Sequence, residues 1–310
     1  MRKLPGLVVA VVAVGMLSSV NVALATPPSG QFSYTEHGRA EQAANATLTI
    51  PAADNVSSSY SIASGGNTGW RTSAGDTVLA VTKGTLGVDQ AQGCASQDVA
   101  AGKAVVVPAG KFRLRNAGSE PAEFNGVFFN LRAGGPSPLV DGAAESAPAC
   151  PGISAAAVGP TGVSATDSAR GATNPYLHNV HPGHGADSSG TVVHSLEAGK
   201  DMAVFTYVLQ PGFSSGWLVH TDEMAIITKG TIAIWEARDG GCKKVEEYTA
   251  GQAWAHKPHR HMATNDGNEP AVVRLIGFNM KHGEPMPVFG SNPDHIDFTQ
   301  APPEDCPRLR

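Results

Sequence analysis

The chain has 310 residues, and its 22 Lys and Arg against 27 Asp and Glu give a formal net charge of −5 at pH 7. Because these charges are spread without long basic runs, the composition argues against a nucleic-acid-binding protein and against a basic membrane-binding patch. The 36 Gly and 22 Pro residues indicate many turns. No long helical pattern follows the first 25 residues, so we predict an all-β chain.

Residues 1–25 have the features of a secretory signal peptide. Arg2 and Lys3 give a positive start, residues 7–17 an apolar run, and Ala-Leu-Ala at 23–25 a cleavage site. The apolar run is too short for a comfortable membrane span. We therefore expect a secreted, extracytoplasmic protein whose mature form has no membrane anchor. Residues 26–45 are polar, and we expect them to form a disordered lead-in.

Strand-like segments follow in two regions, 46–150 and 190–310, each of which we predict to be one domain. Apolar runs such as 78–81 and 224–227 end in Gly turns. Residues 151–189 are rich in Gly, Ala, Pro and Ser and predict a linker or a long covering loop. Short antiparallel strands that must each hide one face are typical of a jelly-roll barrel.

The two strand-rich regions are copies of each other. Six short sequences recur in one order, at an offset that drifts from 146 to 149 residues. One shared tetrapeptide is expected by chance, but six in one order indicate a tandem duplication. The pairs are Gly-Trp at 69–70 and 216–217, Thr-Lys-Gly-Thr at 82–85 and 228–231, Gly-Cys at 93–94 and 241–242, Ala-Gly at 101–102 and 250–251, Asn-x-Gly-x-Glu-Pro-Ala at 116–122 and 265–271, and Phe-Asn at 129–130 and 278–279.

The chain contains four cysteines, which in an exported protein favour disulfides over free buried thiols. The composition alone allows three pairings. Because each copy has one Cys in its central turn and one after its last strand, the repeat favours Cys94–Cys150 and Cys242–Cys306. Each bond would hold a C-terminal tail against its own barrel and contribute about 4 kcal/mol.

Histidines and one glutamate mark the second copy. Gly212 is followed by five residues, then Leu-Val-His at 218–220, two residues, Glu223, six residues and Gly230. Further along, Gly251 precedes a Pro-x-x-His segment that ends at His261, three residues before an asparagine. These two segments resemble the two motifs of the cupin superfamily, and the duplication resembles a bicupin. The resemblance implies two tandem jelly-roll barrels with a metal pocket inside the second.

The resemblance also implies the ligands. The set would be His220, Glu223 and His261, with His259 as a fourth candidate, because alternate residues of a strand share a face. Leu218 stands where the family has its first histidine. Two His and one carboxylate suit Fe or Mn, and three His with one Glu suit those metals, Zn or Ni. The alternative is a degenerate cupin whose histidines only hydrogen-bond in the barrel mouth.

We predict that the N-terminal cupin is degenerate and metal-free. It has Arg71, Ser73 and a Lys-Phe-Arg-Leu-Arg run at 111–115 where the second copy has histidines. Arg113 and Arg115 alternate with apolar residues, so they either face an anionic ligand or are ordinary exposed strand arginines. His256, at the end of a predicted strand, is expected to be structural rather than a ligand.

The bicupin resemblance implies a metal-dependent dioxygenase, decarboxylase or isomerase that acts on a small molecule. The alternative is a non-catalytic cupin that only binds a metal or a small molecule, which the missing first histidine favours. A surface-associated structural protein is a third hypothesis, without a motif behind it. Cupin sheets often pair through their outer faces, so the resemblance also implies a homodimer.

Overall fold

The fold is all-β, as predicted, and consists of two tandem barrels of the jelly-roll kind. The computed structural model describes residues 29–135, 139–140, 144–153, 160–173, 187, 189–238 and 241–283. Within those ranges the only helical element is a 3-10 turn at Gln92–Cys94. No helix in the described part of the chain is long and apolar enough to cross a membrane. The predicted signal peptide, 1–25, lies outside the described residues.

Each copy contributes ten strands, and the strands follow one another in the same order in both copies. The first copy has β1 (Phe32–Gln42), β2 (Ala46–Ile50), β3 (Asp54–Asn67), β4 (Arg71–Ser73), β5 (Thr77–Lys83), β6 (Thr85–Gln90), β7 (Ala95–Ala100), β8 (Lys103–Val107), β9 (Gly110–Asn116) and β10 (Ala122–Leu131). The second has β11 (Thr161–Thr173), β12 (Val192–Leu196), β13 (Asp201–Leu209), β14 (Leu218–Val219), β15 (Glu223–Lys229), β16 (Thr231–Arg238), β17 (Gly241–Thr249), β18 (Gln252–His256), β19 (Arg260–Thr264) and β20 (Ala271–Met280).

The repeated turn sequences adopt the same conformation in both copies. In the first, the Asn116 side chain donates to the Glu120 carbonyl and accepts from the Gly118 amide, at 2.7 and 2.8 Å. Asn265 makes the matching two bonds in the second copy. Gly84 has a φ of +70°, and a Cβ there would lie 2.6 Å from the Pro121 carbonyl oxygen, so only glycine fits the Thr-Lys-Gly-Thr turn. The duplication is therefore visible in backbone conformation as well as in sequence.

The apolar runs that end in these turns are strands buried on both faces. On β5, Leu79 and Val81 point into the core of the first barrel, whereas Val78 and Ala80 point into a second core that lies between the two copies. Strand β15 does the same with residues 224–227. A strand covered on both sides has no polar face, which explains why these runs are continuous rather than alternating.

The two copies exchange strands. Strand β1 pairs antiparallel with β13 of the second barrel, and β11 pairs antiparallel with β3 of the first. Strands β2 and β12 pair with each other between the barrels. The prediction that residues 26–45 are disordered was therefore wrong for β1, which is an ordered strand. The prediction that residues 151–189 form a linker or covering loop was wrong for β11, which is also a strand. Their polar sequences reflect strands that belong to the partner copy's sheet and keep one exposed face.

A disulfide joins Cys94, in the 3-10 turn after β6, to Cys150, the pair that the repeat predicts for the first copy. The two Cα atoms are 5.3 Å apart, which is ordinary for a disulfide. Cys242 is also disulfide-bonded, and its predicted partner, Cys306, lies outside the described residues.

Candidate metal centre

Four histidines converge inside the second barrel. His220 follows β14, His256 ends β18, and His259 and His261 flank the start of β19. One ring nitrogen from each lies within 4.8 Å of one from every other. His220, His256 and His261 are buried, with 5%, 0% and 3% exposure. Four imidazoles that converge in the interior form a candidate set of metal ligands.

The ring spacing is close to what a metal requires. Ring centroids lie 4.8 Å apart for His220 and His261, 4.9 Å for His259 and His261, and 4.8 Å for His256 and His259. Nitrogens held about 2.1 Å from one ion would be roughly 3 to 4.2 Å apart. His256 lies further from two of the rings, at 6.1 Å from His220 and 6.0 Å from His261, so its side chain would have to move toward a bound metal.

Backbone carbonyls orient two of these rings. The Nδ1 of His259 donates to the Lys257 carbonyl at 2.9 Å, and the Nδ1 of His220 donates to the Thr221 carbonyl. Since a carbonyl oxygen only accepts, Nδ1 carries the proton in each ring. The neutral form then has its lone pair on Nε2, the atom available to a metal.

Two glutamates stand behind the histidines. Glu246 Oε2 lies 3.8 Å from His256 Nε2 and accepts a 2.6 Å hydrogen bond from the Tyr248 hydroxyl. Glu236 Oε1 lies 3.8 Å from His259 Nε2. Both 3.8 Å distances are longer than a hydrogen bond, and Glu236 faces Nε2 of His259, the same nitrogen that is left for a metal. The negative charge of the two carboxylates favours a cation among the four rings.

Glu223, a predicted ligand, lies beside the four-imidazole group rather than within it. Its Oε2 is 3.6 Å from His220 Nδ1, and its Oε1 accepts a 3.2 Å hydrogen bond from the Trp254 indole. Burial raises the pKa of Glu223 to about 7, against the stabilising hydrogen bond from Trp254. The carboxyl therefore lies next to Nδ1 of His220 rather than next to the Nε2 that is left for a metal.

The buried Glu223 predicts a pH-dependent stability of the metal-free protein. Below pH 4.5 both folded and unfolded states hold the proton. Between 4.5 and about 7 the unfolded chain loses it first, so stability falls, by about 3 kcal/mol in full. In EDTA, the Tm advantage of Glu223→Gln over the wild type should grow from pH 4.5 to pH 8. An advantage that stays constant across this range would contradict the raised pKa.

A buried hydrogen-bonded group holds the loop between His220 and Glu223. Asp222 accepts from His194 Nδ1 at 2.8 Å and from the Asn279 amide at 2.7 Å. Burial opposes ionisation, but these hydrogen bonds lower the pKa of Asp222. His194 is fully buried on β12. Sequence reasoning missed this group because its members are 28 and 57 residues apart.

Asp222→Asn removes the charge that orders this loop. Asp222 lies between His220 and Glu223 and holds the loop that carries both side chains. We therefore expect metal affinity to fall about 10- to 100-fold, the usual cost of losing an outer-shell partner. Competition against a chromophoric chelator measures the change. Asp266→Asn, on an exposed turn, is the control and should leave affinity unchanged. Equal affinities for all three proteins would show that the group has no role in the site.

The first copy carries other residues at the equivalent places. The shared asparagine and the strand register align His261 with Phe112 and His259 with Gly110. Alignment of the two copies strand by strand makes Ser73 equivalent to His220 and Val107 equivalent to His256. None of the four is a metal-ligating side chain, and the one candidate His, Cys, Asp and Glu cluster in the described residues is in the second copy. The metal-free first barrel stays a prediction.

Arg113 fits neither of the two predictions made for it. It is buried and forms a two-pronged ion pair with Asp89, with Nε–Oδ2 and Nη2–Oδ2 distances of 2.9 and 2.5 Å. Its guanidinium also lies 5.4 Å from the centre of the Trp70 ring. Arg115 is half-buried and pairs with Asp98 at 2.7 Å. These arginines are held by acidic side chains of their own barrel.

A cavity opens beside the four histidines. It has a volume of about 60 Å³ and is partly open to solvent. His220, Glu223 and His261 form its polar end. Leu218, the residue in place of the family's first histidine, lies on its wall, directly across from His261 in the strand register. The cavity gives a small molecule access to the candidate metal centre.

No protein-family model matches the chain, and no curated protein sequence matches it. The chain is similar in structure to oxalate decarboxylase of Bacillus subtilis. One such structure, from work on its Mn(II) centres, gives a TM-score of 0.32 at 15% identity, over 83% of this chain and 78% of that one. Another, at pH 4.6, gives 0.31 at 13% identity, over 80% and 76%. Likenesses this weak do not identify an activity.

Proposed function

We propose that the second barrel binds one divalent transition metal and that the protein is a metal-dependent enzyme acting on a small molecule. The observation that carries the proposal is the convergence of four ring nitrogens within 4.8 Å, next to a cavity. The ligands would be His220, His256, His259 and His261, with Glu223, next to His220, as a further candidate. Nitrogen-rich sites of this kind suit Mn, Fe, Ni or Zn.

The surroundings of the four rings fit a cation. Neutral imidazoles do not reduce the positive charge of a bound ion. The carboxylates of Glu223, Glu236 and Glu246 lie around the rings and would balance that charge. When bound, a divalent metal supplies Lewis acidity to an oxygen of the substrate. His261 and His220 lie at the wall of the cavity, so that oxygen would enter from the cavity side.

Glu223 is the residue best placed to hold and move a proton. Its Oε1 is occupied by the Trp254 indole, which fixes the carboxyl plane, while Oε2 faces His220. A carboxyl in a largely apolar pocket with a pKa near neutrality is suited to general acid–base work. The role for Glu223 is proton transfer at Oε2, to or from a substrate atom in the cavity. Decarboxylation and isomerisation each contain a step of that kind.

Elemental analysis of protein purified without added metal tests the proposal. We expect about one transition metal per chain, removed by EDTA and restored by one of Mn, Fe, Ni or Zn with a rise in Tm. Less than a tenth of an equivalent, with no metal raising Tm, would overturn it. The metal-loaded protein is then screened for turnover, with oxygen consumption and carbon dioxide release as readouts.

A non-catalytic metal-binding module is the second candidate. Leu218 fills the place of one ligand in the resembled motif and narrows the cavity beside His261. This alternative predicts the same metal content but no turnover with any substrate that binds. The enzyme proposal instead predicts turnover that is lost in Glu223→Gln while metal content is retained.

A further inference from the structure

We infer that the cavity beside the candidate metal centre accepts a small molecule with an apolar body and a single oxygen-bearing head group, such as a small phenol. Dicarboxylates are excluded. The inference rests on the proposed function for the orientation of the head group, and on the cavity walls alone for the apolar body.

The walls are apolar almost throughout. Eight of the eleven lining residues carry aliphatic or aromatic side chains, and they come from strands on opposite sides of the barrel. Among them, Leu209, Ile232, Val273 and Leu275 surround the body of the cavity, and Trp254 lies close to its polar end. Such walls favour the burial of hydrocarbon groups of a ligand and offer it few hydrogen bonds.

No Lys or Arg lines the cavity. The two arginines that are adjacent or nearly adjacent in sequence to lining residues point away from the cavity. Arg274 stands between two wall residues of β20, but its guanidinium binds Thr206 and the Asp167 carbonyl on the other face of the strand. Arg260 lies over the Trp217 ring at 5.8 Å. A second carboxylate on a ligand would therefore be buried without a counter-charge, which costs several kcal/mol.

The polar end admits one head group. The polar groups of the lining are the side chains of His220, Glu223 and His261, which lie together, and the Tyr207 hydroxyl, which is near Glu223. One oxygen of a ligand can face the histidines while the remainder of the molecule contacts apolar walls. A ligand with oxygens at both ends would leave one of them against Leu or Val side chains without a hydrogen-bond partner.

Calorimetric titration with p-cresol and with succinate tests the inference, on both EDTA-treated and metal-loaded protein. We expect p-cresol to bind at least 10-fold more tightly than succinate to either form. Leu218→Asn, which keeps the side-chain size but makes the wall polar, should weaken p-cresol binding about 10-fold. Val193→Asn, at an outer position with 40% exposure, is the matched control and should leave binding unchanged.

Succinate binding as tight as p-cresol, or p-cresol binding that is equal in Leu218→Asn and the wild type, would overturn the inference. If Leu218→Asn does not fold, the comparison of the two probes on the wild type decides alone. Failure of the metal proposal gives a different pattern: no metal is retained, yet p-cresol still binds the EDTA-treated protein. Failure of the present inference leaves a metal-loaded protein that does not prefer p-cresol.

Discussion

Replacing His261 with alanine is expected to remove the metal. The His261 ring lies 4.8 Å from that of His220 and 4.9 Å from that of His259, and it is one of the two histidines at the wall of the cavity. Losing an outer-shell partner costs 10- to 100-fold in affinity, so losing a direct nitrogen ligand should cost about 1,000-fold or more. The rise in Tm on adding metal, which reflects binding to the folded state only, should disappear with it.

Metal affinity by chelator competition and Tm with and without metal measure this effect. His282→Ala is the control, since that side chain is 61% exposed and outside the group of four. In EDTA, His261→Ala should melt within a few degrees of the wild type, which separates lost binding from lost folding. Unchanged affinity in a folded His261→Ala protein would exclude His261 as a ligand.

Replacing Asp89 with alanine should destabilise the first barrel strongly. Asp89 is 2% exposed at its side chain and accepts two hydrogen bonds from buried Arg113, with a third from Ser96. Removing it leaves a buried guanidinium without its counter-charge, which typically costs 3 to 5 kcal/mol. We expect a fall in Tm of roughly 10 °C. Calorimetry or circular dichroism measures the change.

A double substitution shows whether the stability lost in Asp89→Ala comes from the unpaired charge or from the loss of packing. With both charges replaced, as in Asp89→Leu with Arg113→Met, no buried charge is left, and most of the lost stability should return. Metal affinity should be unchanged in all of these variants, because the pair lies in the other barrel. A double variant as unstable as Asp89→Ala would show that the pair's packing, rather than its charge, holds the barrel together.

The duplication made the fold predictable. The recurring Gly and Asn turn residues determine local backbone conformation, and the structure shows matching hydrogen bonds at Asn116 and Asn265. Strand exchange was not predictable. The polar sequence of Phe32–Gln42 looks like a lead-in, because the surface that it pairs with, β13, lies about 170 residues later. A local sequence pattern does not indicate which sheet an amphipathic strand will pair with.

The site was predicted only where ligands lie close in sequence or match a motif. His259 and His261 were identified through their spacing. His256 was expected to be structural, although it shares a strand face with Trp254 and pairs across strands with Glu223. That long-range register is absent from the sequence pattern. For the same reason Arg113 was expected either to face an anionic ligand or to be exposed, while its partner Asp89 is 24 residues away.

The most direct test of the central claim is X-ray absorption at the edge of whichever metal the purified protein retains. Convergence of four imidazoles predicts three or four nitrogen neighbours at about 2.0 to 2.2 Å, with the multiple-scattering features of histidine rings. These features should weaken in His261→Ala. A shell made only of oxygen atoms, or a spectrum identical in the variant, would contradict a metal centre built from these histidines.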